Sequence, residues 1–159
     1  MRSDRGFTLI EMLVVVALIG VISAIAIPGI LESTRRNAVW TASELIGSQV
    51  RQARLMAISR NMSFRIRFDC PAVGQFRVLQ VTGTAGIDNA TNRCSTQQPY
   101  DSGVLVMPST VSYGTTPPTL TVNSRGNFFP FPTTYTVTNG SSSRTLSVSA
   151  TGQINFATY

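Results

Sequence analysis

The side chains that could do chemistry in this chain are few. Of 159 residues none is His, two are Cys, seven are acidic, and all 13 basic residues are Arg. Without His, no Ser or Cys has the usual base beside it, no glycine-rich phosphate loop is present, and the acids are scattered rather than clustered. The expectation is a protein that is not an enzyme and holds no cofactor. Asp69, Asp88 and Asp101 could meet around a Ca²⁺ ion, but their spacing is unlike an EF-hand loop, so no metal is expected. Cys70 and Cys94 without His make a poor zinc site; behind an exported N-terminus they read as one disulfide closing a loop of moderate length. The net charge of +6 invites phosphate partners, although a basic surface also serves solubility. The remaining oddity is Glu11, a carboxylate near the start of a long apolar run, where an ionisable group is expensive and usually marks a function.

That run, RGFTLIEMLVVVALIGVISAIAIPG from Arg5 to Gly29, supports three readings. As a secretory signal, Arg2 and Arg5 supply the charge, Met12 to Ile22 the apolar core, and Ala24-Ile25-Ala26 the cleavage site; Glu11 and Pro28 fit it badly. As a transmembrane anchor, a helix from Phe7 to Ile27 spans about 31 Å at 1.5 Å per residue, close to the hydrocarbon thickness. That explains the length and not the acid.

The third reading accounts for the acid. R-G-F-T-L-I-E followed by an apolar run resembles the class III leader of type IV prepilins and type II secretion pseudopilins. The resemblance implies that a membrane-embedded prepilin peptidase cuts after Gly6 and N-methylates Phe7, so the apolar helix is retained. It also implies an assembly role for Glu11, pairing with the N-terminal amine of a neighbouring subunit. A paired carboxylate in low dielectric escapes much of the penalty an isolated one suffers, so the pair acts as a register device. The competing reading is that Glu11 snorkels to the headgroups or pairs with its own amine. Pro28 can kink or locally melt the helix, as the matching proline does in the family.

Behind the span, Glu32 to Ser59 is amphipathic. Val39, Ala42, Ile46, Val50, Ala53 and Ala57 recur at three- and four-residue spacing and predict a stripe packed on a sheet. Leu45 and Met56 widen the stripe. Trp40 and Leu55 lie off its centre and could touch a neighbour or the sheet's rim; core packing is the favoured expectation for both, since an exposed aromatic alone does not establish an interface. From Arg60 the period becomes alternating, with strands over 63–69, 75–82, 104–107, 120–123, 134–138 and 145–149. Asn139-Gly140-Ser141 suits a turn, making Tyr135 to Val148 a hairpin. The weakly periodic stretch 84–103 reads as a surface loop. In Phe128-Phe129-Pro130-Phe131-Pro132, alternate residues should be core and the others exposed.

The stretch ASELIGSQVRQARLMAISRNMSFRIRF, residues 42–68, resembles the helix-to-first-strand region of the GspH/FimT group, which includes type II secretion pseudopilins and the FimT and FimU minor pilins. Ser124-Arg125-Gly126-Asn127 and Ala150-Thr151-Gly152-Gln153-Ile154 resemble its late strand and final hairpin. The resemblance implies an α+β, type IV pilin-like fold: leader peptide 1–6, membrane and filament-core helix 7–28, and periplasmic head 29–159, helical over 29–60 and β-rich over 61–159. It implies a single-pass inner-membrane protein that later enters a pilus at the cell surface. Its partners would be other minor pilins, the major pilin and the prepilin peptidase. The function implied is a FimU-like minor pilin in a complex that initiates pilus assembly at or near the tip; alternatives are a FimT-like DNA-binding pilin or a GspH-type pseudopilin. DNA is the less favoured partner, because a G-R-x-R-like motif would fall on Gly152-Gln153-Ile154-Asn155, which holds no Arg. Arg125 and Arg144 are the candidate weak nucleic-acid contacts.

Overall fold

The computed structural model describes residues 7–115, 117–140 and 142–158. Helix α1 runs over Leu9–Arg60. It is followed by β1 (Phe64–Phe68), β2 (Gln75–Gln80), the one-turn α2 (Ala85–Asp88), β3 (Leu105–Val106), β4 (Ser112–Tyr113), β5 (Leu120–Val122), β6 (Phe128–Phe129), β7 (Thr133–Asn139), β8 (Ser142–Val148) and β9 (Ile154–Thr158). The chain forms two compact units that divide between Arg35 and Arg36.

In the first unit the helix is apolar on all sides from Met12 to Leu31, broken only by Ser23, with Glu11 before that stretch and Glu32 to Arg35 after it, and none of residues 7–35 is buried. It is long and apolar enough to cross a membrane. A helix with no polar face is suited to lipid or to close neighbours. The backbone stays helical through Pro28 and Gly29, although Pro28 offers no N–H to the preceding turn.

The second unit is the head. The predicted stripe is its spine: Val39, Ala42, Ile46, Val50, Ala53 and Ala57 are all buried, with Leu45 and Met56 packed at the margin. Trp40 and Leu55, expected in the core, are instead 58% and 67% exposed. Each is next in sequence to a residue of the buried face or its margin, and about 100° of helical rotation per residue turns both away from it.

Two antiparallel sheets meet the helix, one ordered β3-β2-β1-β5-β6 and the other β4-β7-β8-β9. From the first come Phe64, Ile66, Val78, Leu120, Val122 and Phe128; from the second Tyr135, Val137, Leu146 and Val148. The separation falls at Phe129-Pro130-Phe131-Pro132, where two prolines without N–H groups interrupt any continuing ladder. The sheets remain stitched where Phe128 N–H donates to the Ala150 carbonyl at 2.8 Å. Gly152 makes that stitch possible: its φ is +75°, and a Cβ there would come 2.5 Å from Phe128 Cε2. The β7–β8 hairpin pairs Thr133 with Val148 through Asn139 with Ser142.

The stretch 84–103 is more than a surface loop. It folds over the outer face of β2 and buries Arg77 and Leu79, so this strand is covered on both sides. Arg77 donates to the carbonyls of Cys94 at 2.6 Å and Ser102 at 3.0 Å. Beneath it Arg93, itself buried, grips Asp101 through Nη1–Oδ2 at 2.6 Å and Nη2–Oδ1 at 2.8 Å. Cys70 and Cys94 are disulfide-bonded across 24 residues and tether the loop. Closing a loop of this size constrains the unfolded chain by about 3 kcal/mol. Reduction, or Cys70→Ala with Cys94→Ala, should therefore lower the head's chemical-denaturation free energy by about that much.

Candidate functional site

Gly6 lies outside the described residues; Phe7 and Glu11 lie within them. Phe7 is 79% exposed and precedes the helix. Thr8 caps it, its Oγ1 accepting the Glu11 N–H at 3.3 Å. Thr8-Leu9-Ile10-Glu11 thus has the T-x-x-E spacing of a capping box, in which the acid also favours the positive end of the helix. This spacing was readable in the sequence and gives Glu11 a local role beside the register role that the resemblance implies. The two demand different chemistry, since an amide can serve a cap but cannot attract an amine as a carboxylate does.

In the head, Arg144 and Arg125 part company. Arg144, on β8, is only 8% exposed. Its Nη1 donates to Ser43 Oγ at 2.7 Å and to Glu44 Oε1 at 3.3 Å, and its guanidinium lies 5.0 Å from the Trp40 ring centroid and 4.2 Å from that of Phe156. A cation held between two rings and a carboxylate is committed to the protein, so Arg144 is withdrawn as a nucleic-acid contact. It fastens β8 and β9 to α1, where a Cβ on Gly47 would come 3.1 Å from Phe156 Cζ. Arg125 is exposed at the tip of a turn, in which Asn123 Oδ1 accepts its N–H at 3.0 Å. It projects alone rather than as half of a pair.

The aspartates are equally occupied. Asp88 accepts from Thr82 N–H at 2.8 Å, Thr82 Oγ1 at 2.9 Å and Gly83 N–H at 2.9 Å. Burial pushes its carboxyl up, but these bonds and the Arg65 charge outweigh that and hold it below the usual value. Asp69 caps its own turn through Gly74 N–H at 2.9 Å. Asp101 belongs to the Arg93 clasp.

What the head and helix define is a type IV pilin-like protein, the class that contains minor pilins and pseudopilins. The family model described as "Prokaryotic N-terminal methylation motif" matches residues 1–27, and the one described as "Type II transport protein GspH" matches residues 42–152. The chain belongs to the GspH family.

Among solved structures it is similar to the type IV minor pilin FimU of Pseudomonas aeruginosa, at 21% identity and TM-score 0.54, covering 78% of this chain and 91% of that one. It is also similar to the minor pseudopilin EpsH from the Type 2 Secretion System of Vibrio cholerae, at 14% identity and TM-score 0.53, covering 76% and 96%. At these identities the likeness is one of fold. A fimbrial protein of Pseudomonas aeruginosa is 50% identical over 42 residues, 26% of this chain and 27% of that one. The pilin-like protein PilA1 of Thermus thermophilus is 44% identical over 57 residues, 36% and 35%. The chain therefore spans only about a quarter to a third of the length of these curated relatives.

Proposed function

We propose that this protein is a minor pilin that joins other minor pilins in a complex that starts pilus assembly and stays at or near the tip. Prepilin peptidase cuts after Gly6 and methylates Phe7. The subunit waits in the inner membrane with its head in the periplasm, then enters a filament with the major pilin. It acts by assembly, without catalysis, cofactor or metal. The observation that carries this reading is the stretch of α1 from Leu9 to Leu31, apolar on all sides and unburied, with Glu11 in its first turn as its one charged residue. Such a surface needs lipid before assembly and neighbouring helices after it.

A second reading, a pseudopilin of type II secretion, is favoured by the GspH description and the likeness to EpsH. The test is to delete the gene in the host and to capture the tagged full-length protein from detergent-solubilised membranes. The first reading expects fewer pili and co-purification of the other minor pilins. Normal piliation with lost secretion shifts the assignment to the second, and neither phenotype overturns both.

A further inference from the structure

The face of the five-stranded sheet turned away from α1 carries an open cleft of about 490 Å³. Its floor follows from strand register: Arg65 on β1 stands opposite Thr121 on β5, which stands opposite Phe129 on β6. One wall is the disulfide-tied loop at Asn89; the other is Phe129, 46% exposed and leaning on Phe131 with ring centroids 5.9 Å apart.

The electrostatics are unbalanced. The Arg67 guanidinium, in the same cleft, has no hydrogen bond or ion pair among the described residues. It stands directly opposite Arg77, whose guanidinium contacts only neutral carbonyls. Like charges directly opposite on an antiparallel pair are destabilising. Arg65 is half-satisfied by the Asp88 carbonyl and Asn89 Oδ1, both at 3.3 Å. The Asp88 carboxylate makes its hydrogen bonds to its own loop and balances Arg65 only through space, which leaves Arg67 as the uncompensated charge. The hydroxyls of Thr119 and Thr121, also in the cleft, make no hydrogen bond among the described residues. An unpaired guanidinium, two free hydroxyls and a ring wall therefore converge on one open space.

We propose that this cleft binds an acidic saccharide, a hydroxylated ring bearing one carboxylate. The planar carboxylate matches the Arg67 fork, ring hydroxyls meet Thr119, Thr121 and the Asn89 amide, and the apolar sugar face lies on Phe129 by dispersion. A nucleic acid fits less well, because polyanion binding draws on a track of several phosphate contacts, and here two guanidiniums are bounded by Asp88. The choice of a solute over a neighbouring subunit rests on the proposed assembly through α1, since Phe64 and Ile66 turn the other face of β1 into the core with that helix.

Full-length protein in detergent should be titrated calorimetrically with trigalacturonate, its methyl ester, an oligothymidylate and an oligoaspartate. Trigalacturonate should bind, with affinity about tenfold lower for the methyl ester and for Arg67→Ala, and an intermediate loss for Arg67→Lys. Unliganded Arg67→Ala should melt no lower than wild type, because it removes a like-charge contact. No uronate binding, binding indifferent to Arg67, or a lowered melting temperature overturns the proposal. Equal or tighter binding of the nucleotide or the peptide overturns it in favour of that ligand. These titrations use unassembled protein, so they fail or succeed independently of the pilus phenotype; normal filament incorporation of Arg67→Ala would confirm that the two are separate.

Discussion

Glu11→Ala should leave the protein in the membrane with its head folded, yet lower its abundance in sheared filaments about tenfold or more. Removing a charge makes the span more apolar, so insertion does not suffer. The head core begins at Val39 and does not involve residue 11. On the proposed register role, what is lost is a charge-assisted contact with a neighbour's amine, of a kind worth about 1.5–3 kcal/mol, or roughly ten- to a hundredfold in an equilibrium. Glu11→Gln separates the register role proposed for this residue from the capping role the structure shows. Gln can still serve the box that Thr8 opens, but has no charge. If register pairing governs, Gln enters filaments as poorly as Ala. If capping governs, Gln is restored to wild-type levels. Snorkelling predicts that both variants incorporate normally, which would sink the pairing assignment. Membrane and filament fractions quantified together give the answer.

The second large effect belongs to Asp101. Its side chain is fully buried, paired with Arg93, and also accepts the N–H groups of Gln80 at 2.7 Å and Gln98 at 2.8 Å. Asp101→Ala strands a buried guanidinium and should cost about 3–5 kcal/mol, lowering the head's melting temperature by about 10 °C or more. Replacing the pair together, Arg93→Met with Asp101→Leu, should recover much of this, because an apolar pair does not carry the desolvation penalty. A double variant as unstable as the single one would show that the loop depends on the ions themselves.

The pH dependence has a definite sign. Burial pushes the Asp101 carboxyl up, but Arg93, Gln98 and Gln80 outweigh it and hold it below the usual value. A depressed folded-state value means the contribution is fully present above the unfolded carboxyl value near pH ~3.9 and drains away as pH falls from there through the folded value. Denaturant midpoints measured from neutral pH down to about pH 3 should therefore fall steeply for wild type and less steeply for Asp101→Asn.

The sequence disclosed what is periodic. The stripe from Val39 to Ala57 and the long strands follow from repeats of 3.6 and 2, and the paired cysteines from composition and an exported N-terminus. Two-residue strands such as β4 and β6 fall below any detectable alternation. Trp40 went wrong because a large apolar side chain beside a stripe was assigned to it. Arg77, Arg93 and Arg144 were beyond reach for another reason: an arginine's pattern says exposed, and only the tertiary placement of Cys94, Asp101 and Trp40 makes burial tolerable. The outer-face cleft depends on the same hidden fact, since one of its walls is the loop that those buried ions hold in place. Its floor was half legible, in the alternation of Arg65 and Arg67 with Ile66 and Phe68.

The bond from Arg144 to Ser43 joins residues 101 positions apart, and Phe156 rests on Gly47 from further still. For a chain synthesised from its N-terminus, the head half of α1 thus emerges long before the strands that cover it. Contacts this distant in sequence form slowly, because the intervening chain must be closed into a loop before they can stabilise anything. Until β9 arrives, Gly47 has no ring against it and that side of the helix lacks its cover. Completion of the head fold therefore waits on β9. A truncation that removes only β9 should speed proteolytic cleavage within α1 around Gly47, far from the deletion in sequence.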